Sequence, residues 1–181
     1  MKTKILFAAL LLTFQVTAFA QNTLTTKAGH VWFYSKMPME TIEAHNKQVV
    51  GIINKTTGDV VFNLLVKSFS FERALMEEHF NENYMESSKF PRSTFKGKII
   101  NLKNINFGVN GTYKAEIEGD LTIHGVTKKV KEEGSFVVSK GNTKAIAKFK
   151  LSPADYGIKI PSVVADKISK QLDINVDLDL K

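Results

Sequence analysis

Apolar and polar residues alternate with a period of two along much of the chain. Successive side chains of a β-strand point to opposite faces of its sheet, so this pattern predicts strands with one apolar face. Four segments show the pattern clearly, at residues 93–99, 113–123, 144–151 and 171–180, and four show it less regularly, at Val31–Ser35, Gln48–Asn54, Val60–Val66 and Val126–Val138. We therefore expect about eight strands.

Short turns that contain glycine separate the predicted strands. Glycine adopts positive φ without strain, and tight loops that need this conformation join antiparallel strands. Such turns are predicted at Thr57-Gly58-Asp59, Asn110-Gly111, His124-Gly125 and Gly141-Asn142. Most strands are therefore expected to pair with their neighbours in the chain in antiparallel fashion.

Two segments interrupt the alternation with the spacing of short helices. In the first, Ser70 is placed to cap a helix over residues 71–80, in which apolar residues recur four apart. In the second, Ser162 is placed to cap a short turn that ends near Ile168. The fold is thus expected to be all-β with one or two short helices.

One-sided antiparallel strands must bury their apolar faces against one another. The two economical solutions are a closed barrel and a two-sheet sandwich, and periodicity does not choose between them. An eight-stranded barrel is either filled by its own side chains or holds one small ligand.

Composition and the first residues of the chain indicate a single exported domain. The chain has 181 residues, of which 43% are hydrophobic and 24% charged, and a formal net charge of +7. The basic residues Lys2 and Lys4, the apolar run Ile5–Phe14 and the sequence Ala18-Phe19-Ala20 predict a signal peptide over residues 1–20. The absence of cysteine excludes disulfides and a lipid-modified cysteine anchor. We expect residues 21–181 to form one periplasmic, or alternatively secreted, domain.

No sequence motif indicates catalysis, a metal or a cofactor. The histidines His30, His45, His79 and His124 are widely separated, without the short spacings of a zinc site. The chain has no nucleophile elbow, phosphate-binding loop or dinucleotide fingerprint. Glu77-Glu78-His79 is expected to be a solvated helix face, because adjacent helical residues point in different directions. We therefore predict a protein that is not an enzyme and needs no cofactor.

The lysines indicate a solvent-exposed surface rather than a nucleic-acid-binding site. Lys128, Lys129 and Lys131 could favour an anionic membrane surface, and transient contact with one is an expectation. The aromatic residues fall mainly on apolar strand faces, whereas a platform that stacks bases needs them among the basic residues. Nucleic acid is therefore excluded as a partner.

Several segments resemble the YceI family in order and spacing. They are Leu75–Pro91, Phe95–Gly97, Gly119–Lys128, Asp155–Ile158 and the pair Ile160-Pro161. The resemblance covers nearly all of residues 21–181. It implies an extended, lipocalin-like antiparallel eight-stranded barrel, exported to the bacterial periplasm, whose interior binds long apolar molecules such as polyisoprenoids or fatty-acid derivatives. The segment Met37–Asn46 differs from the histidine-leucine-glycine turn of many family members.

The predicted ligand site combines a barrel interior with a polar mouth. The interior set comprises Phe62, Leu64, Val66, Phe95, Ile99, Tyr113, Ile117, Leu121, Phe136 and Phe149. Small residues interleave with them and either leave room for a cavity or admit bulky neighbours: Gly97, Ala115, Gly119, Gly134, Ala145 and Ala147. Candidate contacts for a polar head group at the mouth are His79, Asn83, Tyr84 and Tyr156.

An open barrel interior and a filled one predict two different functions. In the first, the protein holds a polyisoprenoid, an isoprenoid quinone or a fatty-acid derivative for transport, storage or a stress response. Burying a methylene gains about 0.8 kcal/mol and association costs roughly 4–15 kcal/mol, so a tight ligand needs about ten or more methylenes. In the second, a filled barrel serves as an interaction or structural module, through a surface such as Met37–Asn46 or through a homodimer interface.

Overall fold

In the part of the chain that the structure describes, the protein is an antiparallel β-structure with one α-helix. The computed structural model describes residues 22–38 and 40–181, and the predicted signal peptide at residues 1–20 lies outside the described residues. The elements are β1 (Thr23–Lys36), β2 (Thr41–Asn54), β3 (Asp59–Leu65), β4 (Phe69–Phe71), α1 (Ala74–His79), β5 (Arg92–Ile99), β6 (Gly111–Ile123), β7 (Val126–Ser139), β8 (Asn142–Leu151) and β9 (Leu172–Leu180). A π-helical turn, Phe80–Tyr84, directly continues α1.

Eight of the strands close into a barrel. The neighbours run in the order β1-β9-β8-β7-β6-β5-β3-β2, and β2 pairs back onto β1. All pairings are antiparallel. The three-residue strand β4 pairs only with β2, opposite Ala44–Asn46. The predicted eight-stranded antiparallel barrel with a short helix is confirmed, and the closing β1–β2 ladder excludes an open two-sheet sandwich.

The first two strands are longer than their sequence pattern predicts. β1 begins at Thr23 rather than Val31, because register shifts around Gly29 interrupt the alternation without ending the pairing with β2. β2 begins at Thr41 because the backbone N–H of Met37 donates to the carbonyl of Glu40 at 2.9 Å and turns the chain. The Met37–Asn46 segment is therefore a hairpin turn followed by the first half of β2.

Neither predicted helix cap forms. Ser70 lies in β4, where its hydroxyl donates to the His45 carbonyl at 3.2 Å, and α1 starts only at Ala74. This segment forms a strand rather than a helix, because Phe69 and Phe71 alternate with Ser70 and the segment pairs with β2. The 3₁₀ turn Ser162–Val164 follows Pro161 and has no side-chain cap.

Two of the predicted turns are tight hairpins with positive φ. The β6–β7 turn has His124 at φ 51° and Gly125 at 75°, and the β7–β8 turn has Lys140 at 50° and Gly141 at 80°. Two consecutive positive φ angles define a type I′ turn, so the second hairpin turns one residue earlier than predicted. Gly111 opens β6 and is not part of a hairpin turn.

The two ends of the barrel differ. At the closed end, where β2 leads into β3 and β7 into β8, a buried cluster fills the interior: Leu24, Val49, Ile53, Val60, Ile99, Ile105, Ala115, Phe136, Leu178 and Leu180. At the open end lie α1, the π-helical turn and the long connection of residues 152–171. Within residues 22–38 and 40–181, no helix is long and apolar enough to cross a bilayer.

Candidate ligand-binding site

An inner cavity of about 250 Å³ lies inside the barrel. Alternate residues of each strand reach it because the strand period of two turns every second side chain inward. On β9 these residues are Leu172, Ile174, Val176 and Leu178. The wall is almost entirely apolar, so the cavity suits a hydrocarbon chain.

The structure distributes the ten predicted interior residues between the cavity and the packed core. Seven line the inner cavity: Phe62, Leu64, Phe95, Ile117, Leu121, Phe136 and Phe149. Val66 is fully buried against Met85, and Ile99 packs at the closed end. The Tyr113 hydroxyl donates to the Val109 carbonyl at 2.9 Å. These three lie at or beyond strand ends, where neighbouring loops fill the barrel.

The small residues have two different roles. Ala115, Gly134, Ala145 and Ala147 line the inner cavity and leave it open. Gly97 and Gly119 are paired across β5 and β6, and a Cβ at either position would clash with the backbone of the other strand. These two glycines allow a close approach of two strands. A phenylalanine at position 119 would therefore break strand pairing rather than fill the cavity.

An outer cavity of about 260 Å³ lies at the open end. α1, the start of β2 and the 152–171 connection enclose it, and charged or titratable side chains lie around it: Glu40, Arg73, His79 and Lys167. Arg73 forms an ion pair with Glu40. Lys167 has no ion pair within the described part of the chain. The outer cavity therefore combines apolar walls with a net cationic rim.

A cluster of four phenylalanines separates the two cavities. Phe33 and Phe80 line both, Phe69 lines the inner one and Phe71 the outer one. Phe80 stands 5.0 Å from Phe71 and 5.5 Å from Phe69 between ring centroids. Phe80 comes from the π-helical turn, whereas the other three rings come from strands. Phe80 is thus the ring of this cluster that the open-end helix region contributes to the boundary between the two cavities.

The four predicted head-group residues lie in different environments. His79 and Tyr84 line the outer cavity, and burial raises the pKa of the Tyr84 hydroxyl. Asn83 is exposed and lines neither cavity. Tyr156 is 4% exposed and packs beneath the mouth, where burial and then the charges of Asp155 and Glu132 raise its pKa. His79 and Tyr84 are thus the two that a ligand in the outer cavity would meet.

Sequence reasoning missed a carboxyl group in the inner cavity. Glu132 lines the cavity between Val130 and Gly134 on β7, and burial raises its pKa. The alternation of β7 contains the signal, because position 132 falls on the inward face. The residues of β9 were also overlooked, although their alternation is regular.

Two histidines that are distant in sequence lie together on the outer wall. His30 Nε2 lies 3.0 Å from His45 Nδ1 on the outer wall, and His45 Nε2 lies 2.9 Å from Glu43 Oε1. The ladder between β1 and β2 joins residues fifteen positions apart. The described residues contain no group of three or more His, Cys, Asp or Glu side chains arranged to hold a metal ion.

Solved structures share this architecture. A polyisoprenoid binding domain from Saccharophagus degradans, implicated in plant cell wall breakdown, has a TM-score of 0.76 and 14% identity, over 88% of this chain and 97% of that one. BcnA from Burkholderia cenocepacia has a TM-score of 0.69 and 15% identity, over 83% and 95% of the two chains. A YceI protein of Campylobacter jejuni has a TM-score of 0.61 and 15% identity, over 80% and 86%. At these identities the likeness concerns the fold.

Sequence comparison identifies the family. No curated protein matches the chain. A family model described as the YceI-like domain matches residues 15–180, which include every strand of the barrel. The chain therefore belongs to the family of YceI-like domains.

Proposed function

We propose that the protein binds one long-chain lipid, with its hydrocarbon chain in the inner cavity and its polar head in the outer cavity. The observation that carries this proposal is the apolar inner cavity, which shares Phe33, Phe80, Met85, Pro153, Ile158 and Leu172 with the outer one. A polyisoprenoid, an isoprenoid quinone or a fatty-acid derivative has this division into chain and head.

The cavity sizes agree with such a ligand. Each cavity alone is slightly smaller than the roughly 300–1,000 Å³ of typical small-molecule sites, and the two together fall within that range. A chain of about ten or more methylenes would gain enough from burial to offset the cost of association. A chain of that length would pass the phenylalanine cluster and occupy both cavities.

The outer cavity favours a head group that accepts hydrogen bonds. Arg73 is already paired with Glu40, which leaves Lys167 and His79 to contact the head. His79 hydrogen-bonds to no hydroxyl or carboxylate in the described part of the chain, so its ring can contact a head group in the outer cavity.

Native mass spectrometry of the purified protein tests the proposal. We expect a bound mass that organic extraction removes and that matches one long-chain lipid. Added isoprenoid alcohols, quinones or fatty acids should displace an environment-sensitive apolar dye. A ligand-free mass together with no uptake of any of these lipids would contradict lipid binding.

We further propose that the protein is exported and carries its lipid between membranes, docking with its open end. Leu75 is 60% and Val163 82% exposed, and both lie beside residues of the outer cavity. Apolar side chains next to lysines such as Lys159 and Lys167 suit an anionic membrane surface. The basic start, apolar run and Ala18-Phe19-Ala20 sequence support cleavage after Ala20.

Two measurements test export and docking. The protein isolated from the periplasm should begin at Gln21, and an intact residue 1–20 segment would contradict cleavage. The double variant Leu75→Glu, Val163→Glu should co-sediment less with vesicles that contain anionic phosphatidylglycerol. Ile100→Glu is the matched control, because Ile100 is 47% exposed at the closed end.

The alternative function would use the outer wall. Val50, Ile52 and Val61 are each about two-fifths exposed there, and Ile52 pairs directly with Val61. Such a patch suits a homodimer or a protein partner. Sedimentation analysis distinguishes the two functions, since a lipid carrier needs no dimer whereas a surface module needs a partner.

A further inference from the structure

Glu132 is an acidic residue on the inner face of the barrel wall. It lies on β7 between Val130 and Gly134, and its partner in the ladder with β6 is Ile117. All four residues line the inner cavity. The position is midway along β7, six residues from Val126 at the open end. The carboxyl group therefore faces the space proposed for the hydrocarbon chain.

The Glu132 carboxyl has no protein partner. Among residues 22–38 and 40–181, no side chain forms a hydrogen bond or an ion pair with it, and burial is the cause of its raised pKa. Carboxylates on the outer face of the same two strands are paired: Glu116 with Lys131 at 3.2 Å and Asp120 with Lys129 at 3.5 Å. What sets Glu132 apart is its inward position: Glu118 and Glu133 are also without an ion pair among the described residues, but they lie on the outer face of the same strands.

The backbone beside Glu132 is open on one side. The ladder between β7 and β8 runs from Gly134 opposite Ala147 to Ser139 opposite Asn142, and Glu132 lies two residues before its first pair. β7 remains paired with β6 over its whole length. At Glu132, β7 is therefore paired with β6 alone. The side chain faces the cavity at the point where β7 and β8 begin to diverge.

Glu132 is partly buried, and a carboxyl group that loses part of its hydration without gaining a hydrogen bond carries a modest cost for folding. A ligand that brings a hydrogen-bond donor removes this cost. A ligand that brings only hydrocarbon, or an oxygen that can only accept, does not.

We propose that Glu132 accepts a hydrogen bond from a hydroxyl or other donor group along the bound chain, so that the inner cavity selects chains that carry a hydroxyl along their length over chains without such a donor. This inference rests on the proposed lipid binding and specifies the chemistry of the ligand. Glu132 is a specificity residue: its carboxylate oxygen accepts, and the ligand O–H donates.

Two probes of equal chain length test the selection. 12-Hydroxyoctadecanoic acid and 12-methoxyoctadecanoic acid share one head group and differ only in the hydroxyl proton along the chain, and each competes with an apolar dye for the protein. We expect the wild type to bind the hydroxy acid roughly tenfold more tightly than the methoxy acid, the effect of a hydrogen bond to a charged acceptor. In Glu132→Leu the ratio of affinities should fall to about one.

Three further variants define the controls. Glu132→Gln retains an acceptor of the same shape without the charge, and its ratio should be reduced several-fold. Glu133→Gln alters the neighbouring outward residue and should keep the wild-type ratio. Ala147→Phe fills the inner cavity and should weaken both probes, which locates them there.

The outcomes separate this inference from the proposed function. A wild-type ratio that persists in both Glu132→Leu and Glu132→Gln overturns the role of Glu132 and leaves lipid binding intact. A wild type that binds neither probe overturns lipid binding and the inference with it. Thermal melts show that each variant is folded, and Glu132→Gln decides the question if Glu132→Leu does not fold.

Discussion

The two ends of the barrel are built by the same eight strands but differ in how their interior is filled. At the closed end, Ile99 and Leu180 are 2% and 1% exposed, and Phe107 meets the Phe136 ring edge-on. At the open end, the residues around Phe80 are partly exposed and border two cavities.

The connections explain this difference. At the closed end the β2–β3 and β7–β8 loops are short, and the turn Leu102–Asn104 brings Leu102 and Ile105 into the core. At the open end residues 66–91 and 152–171 are long and carry α1 and several single turns. Close packing provides stability, whereas long connections leave room for a ligand and can move. The closed end therefore stabilises the fold, and the open end provides the space of the proposed ligand site.

The largest expected effect is on the free energy of unfolding, when isoleucine is replaced by alanine at each end of the barrel. Ile99→Ala should lower the free energy of unfolding by about 2–5 kcal/mol, because it leaves a hole in a packed core. Ile174→Ala should cost less than about 2 kcal/mol, since Ile174 already borders a cavity. Urea unfolding of both variants gives the two values. Equal losses would contradict the distinction between the ends.

Filling the inner cavity should abolish binding without unfolding the protein. Ala147→Phe places a ring in the cavity, so lipid affinity should fall at least roughly tenfold while stability falls by about 1–3 kcal/mol. Dye binding and native mass spectrometry measure the loss. Lys148→Phe, which adds the same ring to the outer face, is the control. A folded Ala147→Phe protein that retains its lipid would place the ligand elsewhere.

Removing a ring from the phenylalanine cluster should change the rate of lipid release more than it changes the stability of the protein. Phe80→Ala removes the ring that separates the two cavities, so we expect lipid to leave for acceptor vesicles several-fold faster. Phe107→Ala removes a ring at the closed end and should lower stability without changing this rate. Stopped-flow transfer measures both. An unchanged rate in Phe80→Ala would show that the ring does not obstruct the path.

The smallest expected effect concerns Glu132 in the ligand-free protein. Burial raises its folded-state pKa above the usual value for a glutamate, so ionisation opposes folding at neutral pH. Glu132→Gln should therefore melt slightly higher than the wild type at pH 7, by no more than about 2 °C, because solvent screens a carboxyl group that is only partly buried. The gain should shrink as the pH falls through the raised pKa and disappear below about 4.5, where the wild-type carboxyl is protonated in both the folded and the unfolded state.

Glu133→Gln is the matched control for this measurement. Glu133 is exposed on the outer face, and its replacement should leave the melting temperature unchanged at both pH values. A stability gain in Glu132→Gln that is the same at every pH would attribute the effect to packing rather than to ionisation.

Much of the fold could be predicted from alternation, because a strand's inward residues are set by its own sequence. This holds for β6 and β9, whose bounds differ from the predicted segments by two residues or fewer. It holds less well for β1, where the register shifts around Gly29 conceal half of the strand. The Ser70 segment was misread because its pairing with β2 depends on residues twenty-five positions away.

The sequence by itself determined the eight strands, their antiparallel order and the apolar lining of the barrel. The period of two decides which side chains face inward, and tight turns decide which strands are neighbours. These are local properties, and neither requires knowledge of distant residues.

Only the tertiary structure decided where the barrel is filled and where it is open. Ile99 and Ile117 belong to the same alternating pattern, yet one packs in the core and the other lines the cavity. Gly119 and Ala147 are both small, yet one faces a backbone and the other a void. The physical reason is that volume inside a barrel depends on what the opposite strands and the end loops bring to the same place.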